Sequence, residues 1–448
     1  MAGTSVVADV QYALAQNEQF VGDRMMHPNT SVIMALFKKA TLEDVKGRGL
    51  TALFDSQTRG HSGSGYVAEN GDMPSPGRAA TQQNSITARL GAMAVEFSDA
   101  QMQAMRTSSS AKNLQNIGKI LQGEVNTQRE RILADFFTRD DSVKAKCAAA
   151  VSGSTTVYSS IPIRFVAGDK VYSYPDSSSG DARELDTTPV TTATYVMDID
   201  TDVTDVNSDY TGGRITLSTA VTYEDQSVLV LPGAAIATSI LGIESHFDNV
   251  IDGTFQWDAD DGATVNHGTE TGAVPYYAGL ERSAYANLNC GVINANGNPL
   301  SLNYLTRAAQ RSIQKGGQRV QRKLMAMMHP LQYDRFLVTQ EGKTKDSNDV
   351  QINGQSFTLP YIATGTAERL TVVTTPMFKD GVVAIFPSDC LHKAFSAVGW
   401  DETMNRQTAA SGSGYSASRI NYWTYWLNTY CDLPVYATLI YGLNTDNV

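Results

Sequence analysis

The stretch from Ser110 to Arg139 constrains the fold more than any other part of the chain, because it contains no proline and reads as one long amphipathic helix. Leu114, Ile117, Leu121, Val125, Ile132 and Phe136 recur at steps of three, four and seven, which places them on one stripe of a 3.6-residue helix. At ~1.5 Å per residue the helix runs roughly 40 Å, longer than an ordinary globular helix, so it is expected to lie half buried across a sheet. Directly ahead, Gly47 to Phe97 carries Gly60, Gly63, Gly65, Gly71, Pro74, Pro76 and Gly77 between two more apolar limbs. That density of breakers excludes regular structure at the tip and predicts an extended hairpin. Its return limb, Asn84 to Phe97, alternates Ile86, Ala88, Leu90, Ala92 and Ala94 as a strand does, and Ser98 stands as the N-cap of a short helix through Met105.

A chain of 448 residues, 42% hydrophobic and 18% charged, has material for two to four lobes around large cores. Its net charge of -11 argues against a protein that wraps nucleic acid in Lys and Arg. Cys147, Cys290, Cys390 and Cys431 are far apart, with no Cys-x-x-Cys pair and no zinc-ligand spacing, so a reducing compartment without a disulfide framework is expected. No apolar run reaches the ~18 residues needed to span a bilayer. Met1 to Gln11 lacks the regions of a secretory signal, so folding in the cytosol and release by cell lysis are expected.

Val6 to Phe20 is a weak helical candidate and reads as an arm, followed by Ser31 to Phe37, an all-apolar segment that suits packing against a neighbour. After the long helix, Ser152 to Ala237 changes to Thr- and Val-rich strand patterning with turns at Gly168-Asp169 and Gly212-Gly213, which predicts an inserted β module. Gly242 to Asn298 is loop-rich. Ser301 to Lys315 is a predicted helix stopped by Gly316-Gly317, Lys323 to Met328 a buried strand, and Pro330 the start of another helix. Phe357 to Leu359, Leu370 to Val373 and Val382 to Phe386 are short apolar strands, and Ile420 to Gly442 forms long aromatic terminal strands.

Local motifs are better explained by structure than by chemistry. Asp198, Asp200, Asp202, Asp205 and Asp209 invite a calcium reading, but Val203 occupies the position that needs glycine and Asp209 replaces the bidentate glutamate. A strand with Met197, Ile199 and Val203 inward is expected there instead. The clusters His61 to Gly65 and Ser411 to Gly414 lack the lysine of a phosphate loop, and His267 to Glu270 is not a His-Glu-x-x-His site. The sequon Asn29-Thr-Ser31 has no meaning without secretion. Trp423 and Trp426 read as core or interface. Arg129, Arg131 and Arg139 alternate with Glu124, Glu130 and Asp135 as on a solvated, salt-bridged helix face. No catalytic, cofactor-binding or metal residues are expected.

The order of arm, hairpin, long helix and β-rich body resembles the major capsid proteins of tailed double-stranded DNA bacteriophages, the HK97-like α+β fold. The resemblance runs over nearly the whole chain. It is carried by Val95-Glu-Phe-Ser98, Gln128-Arg-Glu-Arg131, Tyr277-Ala-Gly-Leu-Glu-Arg-Ser283, Leu300-Ser-Leu302 before the Gly316-Gly317 helix, and Asp380-Gly-Val-Val-Ala-Ile-Phe-Pro387. It implies an N-arm at 1–46, an E-loop at 47–97, a P-domain at 98–151 with the spine helix, continued at 238–290 and closed by 415–448, and an A-domain at 291–414. The β module at 152–237 exceeds the family's minimal plan.

Such a protein is expected to tile an icosahedral virion shell as hexamers and pentamers, after assembly in the host cytoplasm. Its contact with the packaged DNA is expected to be loose and non-specific, and no membrane is involved. Candidate contact residues between subunits are Leu50, Leu53, Phe54, Arg59, Arg78, Ile86 and Leu90 of the hairpin, and Val32, Ile33, Leu36 and Phe37 ahead of it. Self-cross-linking members use an E-loop lysine, yet none occurs here between Lys46 and Lys112. Arg48, Arg59, Arg78 and Arg89 are no substitute, since guanidinium stays protonated. Non-covalent contacts or a cementing protein are therefore expected, with a separate scaffolding protein, because little chain precedes the E-loop, and a portal. The alternatives are an encapsulin-like nanocompartment shell and, in a different class, an acidic carbohydrate-acting enzyme.

Overall fold

The computed structural model describes residues 32–45, 49–59, 72, 80–98, 110–138, 144–147, 150–159, 162–174, 190–204, 211–223, 227–232, 240–249, 276–317, 320, 323–339, 346–352, 355–363, 369–400, 406–410 and 414–444. The predicted helix at 6–20, the short helix after Ser98, the hairpin tip and the motifs at 61–65, 267–270 and Asn29 lie outside them.

A seven-stranded mixed sheet forms the centre. Its order is Gly291–Asn294, Thr438–Tyr441, Val383–Pro387, Leu324–Met328, Arg369–Thr374, Gln355–Ala363 and Asp346–Ile352. Leu324, Ala326 and Met328 pack in one cluster with Leu305, Ala308 and Ala309 of the helix Leu302–Gly316 and Phe336 of the helix Pro330–Thr339. Met325 and Met327 belong to a second cluster with Ile132, Phe136, Phe137, Trp423 and Leu427. A strand covered on both faces has no wet side to mark with polar residues, which is why Leu-Met-Ala-Met-Met is unbroken. The helix before it stops where expected: Gly317 takes φ 59° and donates its N–H to Ile313 O at 2.6 Å, a turn that glycine makes without a Cβ clash.

The second sheet is built on the strand Gly414–Cys431, which pairs with Arg89–Ser98, Leu391–Trp400 and Arg406–Ala410, while Lys38–Ala40 adds in parallel to Leu391–Trp400. Two expected boundaries therefore move. The return limb is two strands, Ala80–Thr87 in the hairpin and Arg89–Ser98 in this sheet. The boundary expected at 414 separates neither sheet, because Leu391–Trp400 pairs with the terminal strand and Thr438–Tyr441 enters the central sheet. Local periodicity marks a strand but carries no information about its partner.

The spine helix is Ser110–Asp135, 26 residues and about 39 Å long. Val125, Ile132 and Phe136 are buried as their stripe predicts, and the side chains of Leu114, Ile117 and Leu121 lie outside the described ones. The helix ends four residues before Arg139 because another segment crosses its end: Ile243 N–H donates to Phe136 O at 2.7 Å, and a Cβ on Gly242 would stand 2.1 Å from Thr138 O. Gln128 Nε2 donates to Tyr425 OH at 2.7 Å, and the Tyr425 ring occupies the space a side chain at Gly91 would need, 2.2 Å from an ideal Cβ. Gly91 and Tyr425 are paired across the sheet, so this contact seats helix on strand.

The inserted module is a six-stranded antiparallel sheet, ordered Ala145–Lys146, Val228–Val230, Lys170–Tyr174, Val190–Thr204, Thr211–Tyr223 and Val151–Ser159. A bridge between Cys147 and Ser159 brings its two ends together, closing the sheet around Val157, Phe165, Val171, Val196, Ile215 and Leu217. Met197, expected inward, is 61% exposed. The register slips there, from Asp198 opposite Thr216 to Val196 opposite Leu217, and such a bulge turns the extra residue outward.

Candidate assembly surfaces

The hairpin of Gly49–Arg59 and Ala80–Thr87 is seated on the body towards its base, and burial along the described side chains of its first limb reaches Ser56, which accepts from Asn84 Nδ2 at 2.9 Å. Along the second limb Asn84, Ile86 and the following Ala88 are buried, whereas none of Ala80, Thr81, Gln82 and Gln83 is. Ala52 and Ile86 pack with Tyr277, Ala278, Leu288, Ala394 and Tyr430. The Phe54 ring stacks on Tyr430 at 4.6 Å and 11°, and Tyr430 stacks in turn on His392 at 4.9 Å and 14°. Burial and the nearby Asp432 push the Tyr430 hydroxyl up to about 12. Two hydrogen bonds complete the seat: Ser85 N–H donates to Ala278 O at 3.1 Å, and the side-chain amide of Asn428 donates from Nδ2 to Thr87 O at 2.8 Å.

The string Tyr277 to Ser283 builds this seat. Ala278 and Gly279 both have positive φ, 52° and 80°, the turn geometry that joins two strands with the sheet's own twist. Arg282 is wholly buried, donating to the carbonyls of Asp248, Leu288 and Ser245, with its guanidinium 4.6 Å from the Tyr277 ring. Sequence reasoning missed that role, since a buried arginine held by carbonyls has no pattern of partner residues. Behind it, His246 contacts Tyr277 OH at 3.1 Å and Thr429 Oγ1 at 2.9 Å.

Burial, and then Arg282, lower the His246 pKa to about 3. In the unfolded chain the ring takes its proton near 6.5. Between these values the unfolded state binds the extra proton, so stability is lost as pH falls from about 6.5 towards 3, by on the order of 5 kcal/mol in full. Melting curves from pH 7 to 4 are expected to be steeper for the native chain than for His246→Gln; equal slopes would contradict a neutral buried imidazole.

The expected contact residues divide by exposure. Leu90 is 51% exposed, and Leu50, Leu53, Phe54 and Ile33 are partly buried. Ile86, Leu36 and Phe37 are buried in the chain's own cores, which corrects their assignment to a neighbour: an apolar run signals burial without naming what covers it. The helix Val32–Leu36 is instead tied inward, Lys393 Nζ donating to Met34 O at 2.9 Å. The side chains of Val32 and Arg59 lie outside the described ones, as does Arg78.

Ion pairs bolt the module to the body. Arg131 meets Asp169 at 2.6 Å, Arg164 meets Glu244, and Lys144 meets Asp135. Two spine-helix charges, Arg131 and Asp135, thus pair outside the helix, with Asp169 and Lys144, rather than along its face as expected. Asp200 pairs with Arg214 at 3.1 Å, and Asp205 and Asp209 lie outside the described residues. Among the described residues, no group of three or more His, Cys, Asp or Glu could hold a metal ion, and no helix is long and apolar enough to cross a membrane. Trp423 is fully buried.

No protein-family model matches the chain, and no curated protein matches it. It is similar to solved capsid structures. To the capsid asymmetric unit of Cyanophage A-1(L) it is 9% identical, covering 92% of this chain and 93% of that one, at a TM-score of 0.48. To the capsid of an empty GTA particle it is 7% identical, covering 93% and 89%, at 0.40. To the satellite phage P4 procapsid, which includes the size determination protein, it is 8% identical, covering 99% and 98%, at 0.38.

Proposed function

We propose that the chain is an HK97-like major capsid protein, a shell subunit that assembles through its hairpin, arm and body surfaces into a closed icosahedral head around double-stranded DNA. The observation that carries this reading is the hairpin itself: strands that pair with each other, are anchored at their base by Ala52, Phe54 and Ile86, and run on through Gln83, Gln82, Thr81 and Ala80, none of which is buried, although Ser56 opposite Gln82 is. A projecting pair of strands leaves backbone donors and acceptors without a sheet to join, and a neighbouring copy supplies one. The continuous spine helix and doubly covered central sheet give the rigid plate from which such a lever projects. The acidic balance, -11 overall, favours a shell that encloses nucleic acid loosely rather than grips it. We assign the chain no catalytic role.

Size-exclusion elution and negative-stain imaging of the expressed chain test the reading. Capsomers or hollow particles are the expected result, and a monomer at all concentrations would contradict it. Because no lysine lies between Lys46 and Lys112, mature particles boiled in detergent are expected to run as a single-chain band; a ladder of linked subunits would require another covalent chemistry.

A further inference from the structure

Lys38–Ala40 joins the second sheet as a three-residue edge strand, in parallel register with Leu391–Trp400. At two of its three positions a lysine faces a basic residue: Lys38 stands opposite His392, and Lys39 opposite Lys393. Like charges directly opposite each other destabilise a pair of strands. The two positions lie on opposite faces of the sheet and differ in what surrounds them. On one face Lys38 has Asp389 at 3.9 Å, and His392 has Asp432 at 3.7 Å. On the other, Lys393 is only 7% exposed, and its Nζ donates to Met34 O at 2.9 Å. Among the described residues, the groups packed there supply it with no anion. The helix Val32–Leu36 carries no ionisable residue, and Thr429 stands opposite Lys393 in the neighbouring strand. Leu391 and the Cys431 thiol form the next pair on that face, and His246, in contact with Thr429, is neutral above its pKa of about 3. Met34, Leu36 and Phe37 pack in the central cluster, so the lysine closes over the apolar seat of this segment.

We propose that Lys393 is a proton-controlled latch on the segment 32–40: losing a proton tightens the segment onto the second sheet, and regaining it loosens the segment. The neutral amine still donates to Met34 O. Its loss of charge removes both the repulsion from Lys39 and the penalty of holding an ammonium away from water. Burial, with Lys39 adding to it, lowers the Lys393 pKa to about 8 from the ordinary 10.5. With the strand lifted off, the amine regains its ordinary value, so the lifted state binds the extra proton between the two. Docking is therefore strongest above 10.5, weakens as pH falls towards 8, and changes little below that. From pH 9 to pH 7 these values weaken it about tenfold. The latch acts within one chain and stands independently of the shell reading.

Trypsin at low concentration reads the lifted state, because a cut after Lys38 requires the strand to leave the sheet. The folded full-length chain is digested at pH 7, 8 and 9 and the cut is mapped by mass spectrometry. Its rate is divided by that of a free peptide spanning residues 32–45. The normalised rate is expected to be about tenfold lower at pH 9 than at pH 7. Lys393→Gln, which keeps a donor without a charge, should be cut slowly throughout, with a flat profile. Lys39→Gln, at an exposed position, should be cut more slowly than the native chain at pH 7 and depend less on pH. A native profile that is flat or rises with pH, or an equal slope in Lys393→Gln, would overturn the proposal. Should Lys393→Gln not fold, a Lys39→Gln profile identical to the native one would overturn it as well.

Discussion

Gly91→Val is expected to unseat the spine helix. An ideal Cβ at position 91 would lie 2.2 Å from the Tyr425 ring, 2.4 Å from the next ring atom and 2.6 Å from its hydroxyl oxygen. The phenol cannot yield freely, because its hydroxyl accepts the Gln128 bond and the ring is buried in the central cluster. Overpacking of this kind costs about 1–3 kcal/mol or more, and loss of the hydrogen bond adds about 1 kcal/mol. We expect thermal melting to fall by several degrees at least, with a matching loss of assembled material. Gly123→Ala is the control: nothing lies within 4 Å of its Cβ, and alanine is the better helix former, so that variant should melt no lower than the native chain. A native melting temperature for Gly91→Val would refute the helix-to-sheet seat.

The second large effect is expected at the buried pair of Arg164 and Glu244, whose side chains are 4% and 10% exposed. Arg164 comes from the module and Glu244 from the short helix Ile243–His246; Arg164 Nε also donates to Met377 O at 3.1 Å. Removing one partner strands a charge away from water, which costs roughly 3–5 kcal/mol, whereas replacing both with apolar groups of similar size is close to neutral. Arg164→Met and Glu244→Leu are each expected to lower melting strongly. The double variant should recover most of the loss. Additive single effects, with no recovery, would mean that the pair does not couple module and body.

How much of this was legible differs element by element. The stripe Val125, Ile132 and Phe136, the unbroken run Leu324 to Met328, and the stop at Gly317 follow from local rules of period and backbone freedom, and their positions agree with the structure. What stayed hidden involves distant partners. Gly91 looks like an ordinary glycine in a strand until Tyr425, far along the chain, is placed over it. Arg282 and Arg131 carry no mark of the carbonyls and the carboxylate that hold them. The outward turn of Met197 depends on a one-residue slip that alternation cannot foresee. In the candidate surfaces, the hairpin limbs were evident from composition, while the division between residues used within the chain, such as Phe37 and Ile86, and those left open, such as Leu90, required the fold.

The most direct measurement is a cryo-electron map of particles formed by the full-length chain, traced through the two hairpin limbs. The account predicts a closed shell in which the limbs, beyond their seat at Ala52 and Ile86, lie over an adjoining copy and Leu90 is covered. A compact solitary molecule, with the outer limbs folded back on their own body, would contradict it.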